Sequence, residues 1–114
     1  MKKLILALSV LSLSASAFAA GDAANGAELA KKYNCASCHG ADYKTPIDPS
    51  YPKLAGQHAD YLVHALTAYQ RGDKAMNGRN NAIMAGMAQP LSDRDMADIA
   101  AYLQGLPGPL VVSK

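Results

Sequence analysis

Three stretches of the chain carry apolar residues at helical spacing, separated by long polar stretches rich in glycine and proline. The first runs from Ala23 to Lys32, with Ala24, Ala27, Leu29 and Ala30 as its small or apolar members. The second starts near His58 and ends at Arg71-Gly72. In it Tyr61, Leu62, Ala65, Leu66 and Tyr69 recur as one stripe of a helix, and Gly72 suits a C-terminal stop. The third has the sharpest boundaries. Ser92 is an N-cap, Asp95 completes a capping-box pattern, and Met96, Ile99, Ala100 and Leu103 form the apolar face. Gly105 ends it, with Pro107 just beyond. Residues 40–57 hold Pro46, Pro49, Pro52 and Gly56, and residues 72–91 hold Gly72, Gly78, Gly86 and Pro90; both read as irregular. No strand pattern of useful length appears, so the fold class is all-α. Irregular segments of this length in a small domain are functional, disordered, or wrapped around something.

A further apolar run, Leu4 to Leu13, is broken only by Ser9 and Ser12 and follows Lys2 and Lys3. Ala17-Phe18-Ala19 then supplies an A-x-A site. This pattern is a secretory signal peptide over residues 1–19, cut after Ala19. The run is shorter than the ~20 residues that span a bilayer, which argues against a membrane anchor, and no cysteine stands near the cut to take a lipid. Residues 20–114 remain as a single domain. The signal takes two lysines with it, leaving 9 basic residues against 9 acidic ones. So balanced a domain lacks the basic footprint of nucleic-acid binding and has no bulk charge for a membrane surface. It has no Trp, and its one Phe leaves with the signal. A small domain short of large hydrophobes leaves room in its core for a prosthetic group. Charge is still uneven. Lys44, Lys53, Arg71, Lys74 and Arg79 crowd the middle, while Asp93, Asp95 and Asp98 mark the last helix. These are either solvated surface or a basic rim that steers an acidic partner.

The chemistry lies in Cys35-Ala36-Ser37-Cys38-His39, the C-x-x-C-H pattern of c-type haem attachment. Two sulfurs separated by two residues reach the two vinyl groups on one edge of a porphyrin, and the next residue then sets an imidazole beneath the iron. A thioredoxin-like pair would need a βαβ context, which is lacking. A disulfide would close a trivial loop and leave His39 unexplained. A zinc site needs four ligands in a tetrahedron, and three so close in sequence supply them poorly. Haem iron in electron carriers is usually held on both faces, and Met opposite His raises the potential. Met96 falls on the apolar stripe of the last helix and reads as core; Met76 lies in a Gly/Asn-rich loop. Met84 and Met87 remain, either being able to ligate, with His58 and His64 as further candidates.

With these residues in hand the chain resembles the class I cytochromes c, most nearly the bacterial cytochrome c4 and c-553-like group. There such a domain occurs alone or as half of a two-haem protein. The resemblance rests on Cys35-Ala36-Ser37-Cys38-His39-Gly40, Tyr51-Pro52-Lys53-Leu54-Ala55-Gly56-Gln57, Met84 upstream of Leu91-Ser92-Asp93, and Asp98-Ile99-Ala100-Ala101-Tyr102-Leu103. It implies a class I cytochrome c fold of three main helices and long loops around one covalent haem c. It further implies attachment at Cys35 and Cys38 and iron ligation by His39 and Met84, with Met87 the runner-up. The Pro52 carbonyl would accept the His39 Nδ1 proton, and Leu54 would pack on the haem. Gly26 would let the first helix cross the last near Tyr102 and Leu103, with Leu29 or Tyr33 in place of the family's aromatic. The implied function is that of a periplasmic carrier of single electrons between redox partner proteins, not an enzyme. The alternatives are a haem-bearing subunit of a periplasmic oxidoreductase complex, or a sensor with five-coordinate haem. No catalytic constellation appears elsewhere in the chain.

Overall fold

The computed structural model describes residues 20–109; the expected signal peptide lies outside them. Five helices succeed one another: α1 (Ala23–Lys32), α2 (Ala36–His39), α3 (Ala59–Arg71), α4 (Ala82–Ala88) and α5 (Asp93–Gln104). No strand occurs among the described residues. The three helices expected from periodicity are α1, α3 and α5. Two short ones, α2 and α4, arise inside stretches with too few residues to show a period.

Side chains fix the helix starts. The Asp22 carboxylate accepts from the backbone N–H groups of Ala24 and Asn25 at 2.9 and 3.1 Å, satisfying donors that a helix N-terminus leaves free. At α5 the capping box is complete. The Ser92 hydroxyl accepts from the Asp95 N–H at 3.0 Å, and the Asp95 carboxylate accepts from the Ser92 N–H at 3.1 Å. From that start Met96, Ile99, Ala100 and Leu103 all turn inward and are buried. Each large apolar side chain so buried contributes roughly 1.5–3 kcal/mol.

The first and last helices cross with their backbones almost touching. A Cβ built on Gly26 would lie 1.9 Å from the Asp98 carbonyl oxygen, so no other residue fits there without prying the pair apart. The crossing is thus at Asp98 and Ile99, one turn before the expected place at Tyr102 and Leu103. The reason is a polar clamp. Asp98 is buried, 1% exposed, rather than part of an acidic surface stripe. Its carboxylate accepts from the Asp22 N–H at 2.7 Å and the Asn25 side-chain amide at 2.8 Å, and it pairs with Arg94 at 3.1 Å. Those contacts tie the start of α1 to the middle of α5.

Helix α3 packs on α5, with Leu62 in the buried core and Val63 and Leu66 against that core. Its far end is bonded to the segment between α4 and α5. The Gln70 amide donates to the carbonyls of Ala88 and Leu91, both at 2.7 Å. These bonds hold the end of α4 and the turn before α5 against α3. Among the described residues, no helix is long and apolar enough to cross a membrane.

The Asp98 clamp has a measurable signature. Hydrogen bonds from Asn25 and from the Asp22 backbone, then the Arg94 charge, hold its carboxyl below the usual carboxylate range. A group lowered on folding contributes its full stability above its unfolded value, near pH 4, and loses it as pH falls through the folded value. Asp98→Ala, which strands the donors, is expected to cost roughly 2 kcal/mol at neutral pH. Asp98→Asn should also be weaker than the parent at neutral pH, with the gap closing below about pH 4. Urea unfolding at both pH values measures this.

Candidate cofactor site

The site begins where α1 stops. Asn34 takes a left-handed conformation (φ 55°), its N–H donates to the Lys31 carbonyl at 3.0 Å, and the Cys35 N–H donates to the Ala30 carbonyl at 3.0 Å. This is a Schellman stop, with Asn in the position that tolerates positive φ. It reverses the chain so that Cys35 opens the next turn. Cys38 and His39 come three and four residues later, spacings that share one face of a helix. The turn is closed by His39 N–H to Cys35 carbonyl at 3.1 Å and by the Ser37 hydroxyl on the Asn34 carbonyl at 2.8 Å. Gly40 then leaves with φ 89°, and a Cβ there would strike the Thr45 carbonyl at 2.2 Å. Only glycine meets both conditions.

His39 is buried, and its Nδ1 lies 2.9 Å from the Pro52 carbonyl. A carbonyl only accepts, so Nδ1 carries the proton and Nε2 is the nitrogen available to a metal. The segment that brings Pro52 here is anchored at Tyr43, whose carbonyl accepts from Leu54 and Ala55 at 2.8 and 3.0 Å. Tyr43 is itself buried, edge-on against Tyr102 with ring centroids 5.9 Å apart. Residues 40–57 therefore form a fixed strap. Cys35 and Cys38 are half-buried and form no disulfide with each other.

These groups open onto a cavity of about 430 Å³. Across its lining run Tyr61, Leu62, Ala65, Leu66 and Tyr69, the same α3 stripe legible in the sequence. That stripe only partly faces the core: Leu62 is buried, while Tyr61 remains 49% exposed. Helix α4 adds Met84 and Met87, one turn apart. It starts at Asn81, whose side chain accepts from the Met84 N–H at 2.9 Å. Residues 72–91 are thus only partly irregular; the Asn81 cap was the sequence signal for this helix, masked by the glycines on both sides. Pro52 and Leu54 also line the cavity. All the residues expected at the site, Cys35, Cys38, His39, Pro52, Leu54, Met84 and Met87, therefore meet in one place. The other candidates do not: Met76 is fully exposed and Met96 is core, while His58 and His64 are exposed. Among the described residues, no three His, Cys, Asp or Glu side chains converge as a metal cluster, so Cys35, Cys38 and His39 do not form a zinc-type site.

The family profile for cytochrome c matches residues 23–107. The chain belongs to the cytochrome c family. It carries covalently bound haem c, and the cavity suits it. Two thiols and an imidazole stand on one turn, a second sulfur source lies on another element, and the apolar wall between them is of a kind that a flat macrocycle covers. Similar proteins agree. Cytochrome c-554(548) of Halomonas halodenitrificans is 49% identical over 83 residues, 73% of this cytochrome and 94% of that protein. Cytochrome c4 of Pseudomonas aeruginosa is 44% identical over 101 residues, 89% of this chain and 46% of that one. The crystal structure of reduced recombinant cytochrome c4 from Pseudomonas stutzeri matches with a TM-score of 0.65 and 41% identity, over 78% of this chain and 47% of that chain. The cytochrome thus spans about half the length of the c4 proteins and nearly all of cytochrome c-554(548). Its fold is that of the class I cytochromes c, all-α as the periodicity implied.

Proposed function

We propose that Cys35 and Cys38 hold one haem through thioether bonds, that His39 and Met84 ligate its iron, and that the exported protein is a periplasmic carrier of single electrons. When bound, the haem supplies an iron that accepts and releases one electron. The observation that carries the reading is the meeting of His39 from α2 with the thioethers of α4 at a single cavity. His39 and Met84, from two separate elements, would both hold the iron, an arrangement that would suit electron transfer and leave no position for a substrate. The protein's own residues do the rest. Pro52 fixes the His39 ring and its tautomer. The Asn81 cap sets the first turn of α4, from which Met84 projects. Leu54 and the α3 stripe supply apolar wall to the cavity.

Met84 is preferred to Met87 on the resemblance, since both line the cavity. Met84→Ala is expected to abolish the sulfur–iron charge-transfer band of the oxidised protein and lower its potential, while Met87→Ala keeps the band. Loss of the band in the Met87 variant alone reverses the assignment. No such band in the parent returns the enzyme or five-coordinate sensor reading.

Partner choice rests on the charges near the cavity. Of the five basic residues in the middle of the chain, Lys53 and Arg79 line it, whereas Lys44, Arg71 and Lys74 do not. A redox partner with an acidic face would be steered by this rim, and such interfaces depend more on steering than on area. The rate of electron exchange with an acidic partner protein should fall as salt rises and the Debye length shrinks from about 10 Å at 0.1 M to about 3 Å at 1 M. Charge reversal at Lys53 should slow association without changing the spectrum. A rate that is flat with salt marks docking as apolar.

A further inference from the structure

Helix α4 carries Met84 and Met87, yet its own side chains hold it weakly. At seven residues it is marginal as a helix by itself. Ala88 is its one buried residue, and Ile83 is 60% exposed. It packs on α3, and polar contacts fix it there. At its start the Asn81 side chain accepts from the Met84 N–H at 2.9 Å. At its end the Gln70 side-chain amide, from α3, donates to the carbonyls of Ala88 and Leu91, both at 2.7 Å. The Gln89 side-chain amide donates back to the Gln70 carbonyl at 2.9 Å. Carbonyls only accept, so both N–H donors of the Gln70 amide are committed to this joint. The carbonyls of Gln70 and Ala88 are of the kind that a helix C-terminus leaves without a partner inside the helix. Here the ends of α3 and α4 supply donors to each other. Ala88 is fully buried, so water has no access to replace the Gln70 donor. Gln70 does not line the cavity, and any effect it has on the iron passes through α4.

We propose that Gln70 is a positioning residue for the methionine that α4 presents to the iron, and that its paired bonds set how rarely that methionine leaves. The grip falls on Ala88, next to Met87 and one helical turn beyond Met84. A clip at that point resists the swing of α4 away from α3, while the Asn81 cap resists unwinding of its first turn. Without the clip, buried carbonyls lose a donor, a cost that α4 relieves by moving toward water. A methionine held less firmly yields the iron to a competing ligand more often. The apparent affinity for that competitor rises with the fraction of molecules in which the position is open. This rests on the reading of the cavity as the haem site, with a methionine of α4 on the iron.

The test titrates imidazole into the oxidised haem-bearing protein and follows loss of the sulfur–iron band. It compares the parent with Gln70→Leu, Gln70→Asn, Gln89→Ala and Asp98→Asn, each checked for haem by intact mass. Leucine fills much of the same space without a donor, and asparagine stops one methylene short of the carbonyls. Gln70→Leu should keep its haem and bind imidazole about tenfold more tightly, the effect expected when a buried hydrogen bond is lost and its acceptor stranded. Gln70→Asn should change in the same direction. Gln89→Ala should change less, since Gln89 is exposed and water can take its place. Asp98→Asn loosens the α1–α5 frame without touching α4, and should bind imidazole as the parent does. Parent-like affinity in Gln70→Leu overturns the proposal. So does an equal tightening in Asp98→Asn, which makes the effect one of overall stability. If Gln70→Leu does not accumulate with haem, Gln70→Asn decides: tighter binding supports the assignment, and the parent's value overturns it. A parent without haem, or without the sulfur–iron band, overturns the reading of the site itself and the proposal with it.

Discussion

The stripe on α3 from Tyr61 to Tyr69 is the constraint around which the rest is arranged. A helix with a wide apolar face must cover it with something. Part of that face, Leu62 and Leu66, lies in or against the buried core. The remainder looks into a cavity of about 430 Å³ that no side chain among the described residues fills. A domain with no tryptophan and this few large hydrophobes lacks the means to close it. Haem c held there would supply the missing surface, and in a chain this small it would act as a staple and as part of the core.

Everything that positions the chemistry depends on rigid backbone devices placed around that cavity. The Schellman stop at Asn34 delivers Cys35, and one helical turn then sets Cys38 and His39 on the same face. Gly40 lets the chain escape where a side chain would collide with Thr45. The strap from residue 40 to 57, pinned by Tyr43, brings the Pro52 carbonyl to the back of His39. On the other element, the Asn81 cap fixes the turn carrying Met84. Behind all of these, the Asp98 clamp locks α1 to α5, so the frame holding the two halves of the site does not shear.

Much of this is legible in the chain of residues alone. C-x-x-C-H is a local motif whose spacing states its geometry, and the stripes on α3 and α5 span enough turns to show their period. Features that depend on contacts distant in sequence are less so. Asp98 looks like one more surface acid, because its burial is created by Asp22 and Asn25, more than seventy residues away in the chain. The same clamp moves the helix crossing one turn from its expected place. Helix α4, at seven residues, is too short for periodicity to reveal. Arg79 reads as part of a basic rim; only the fold brings Tyr61 and Tyr69 around it.

The dependence of the fold on its prosthetic group is open to direct measurement by amide hydrogen exchange, comparing the haem-bearing protein with a haem-free form made by Cys35→Ala and Cys38→Ala. Without haem, α3 and α4 should exchange rapidly, since their cavity face has no cover, while the α1–α5 pair, clamped through Asp98 and packed at Gly26, keeps part of its protection. Equal protection of α3 and α4 in the two forms would contradict the claim, because it would mean that the protein closes the cavity by itself.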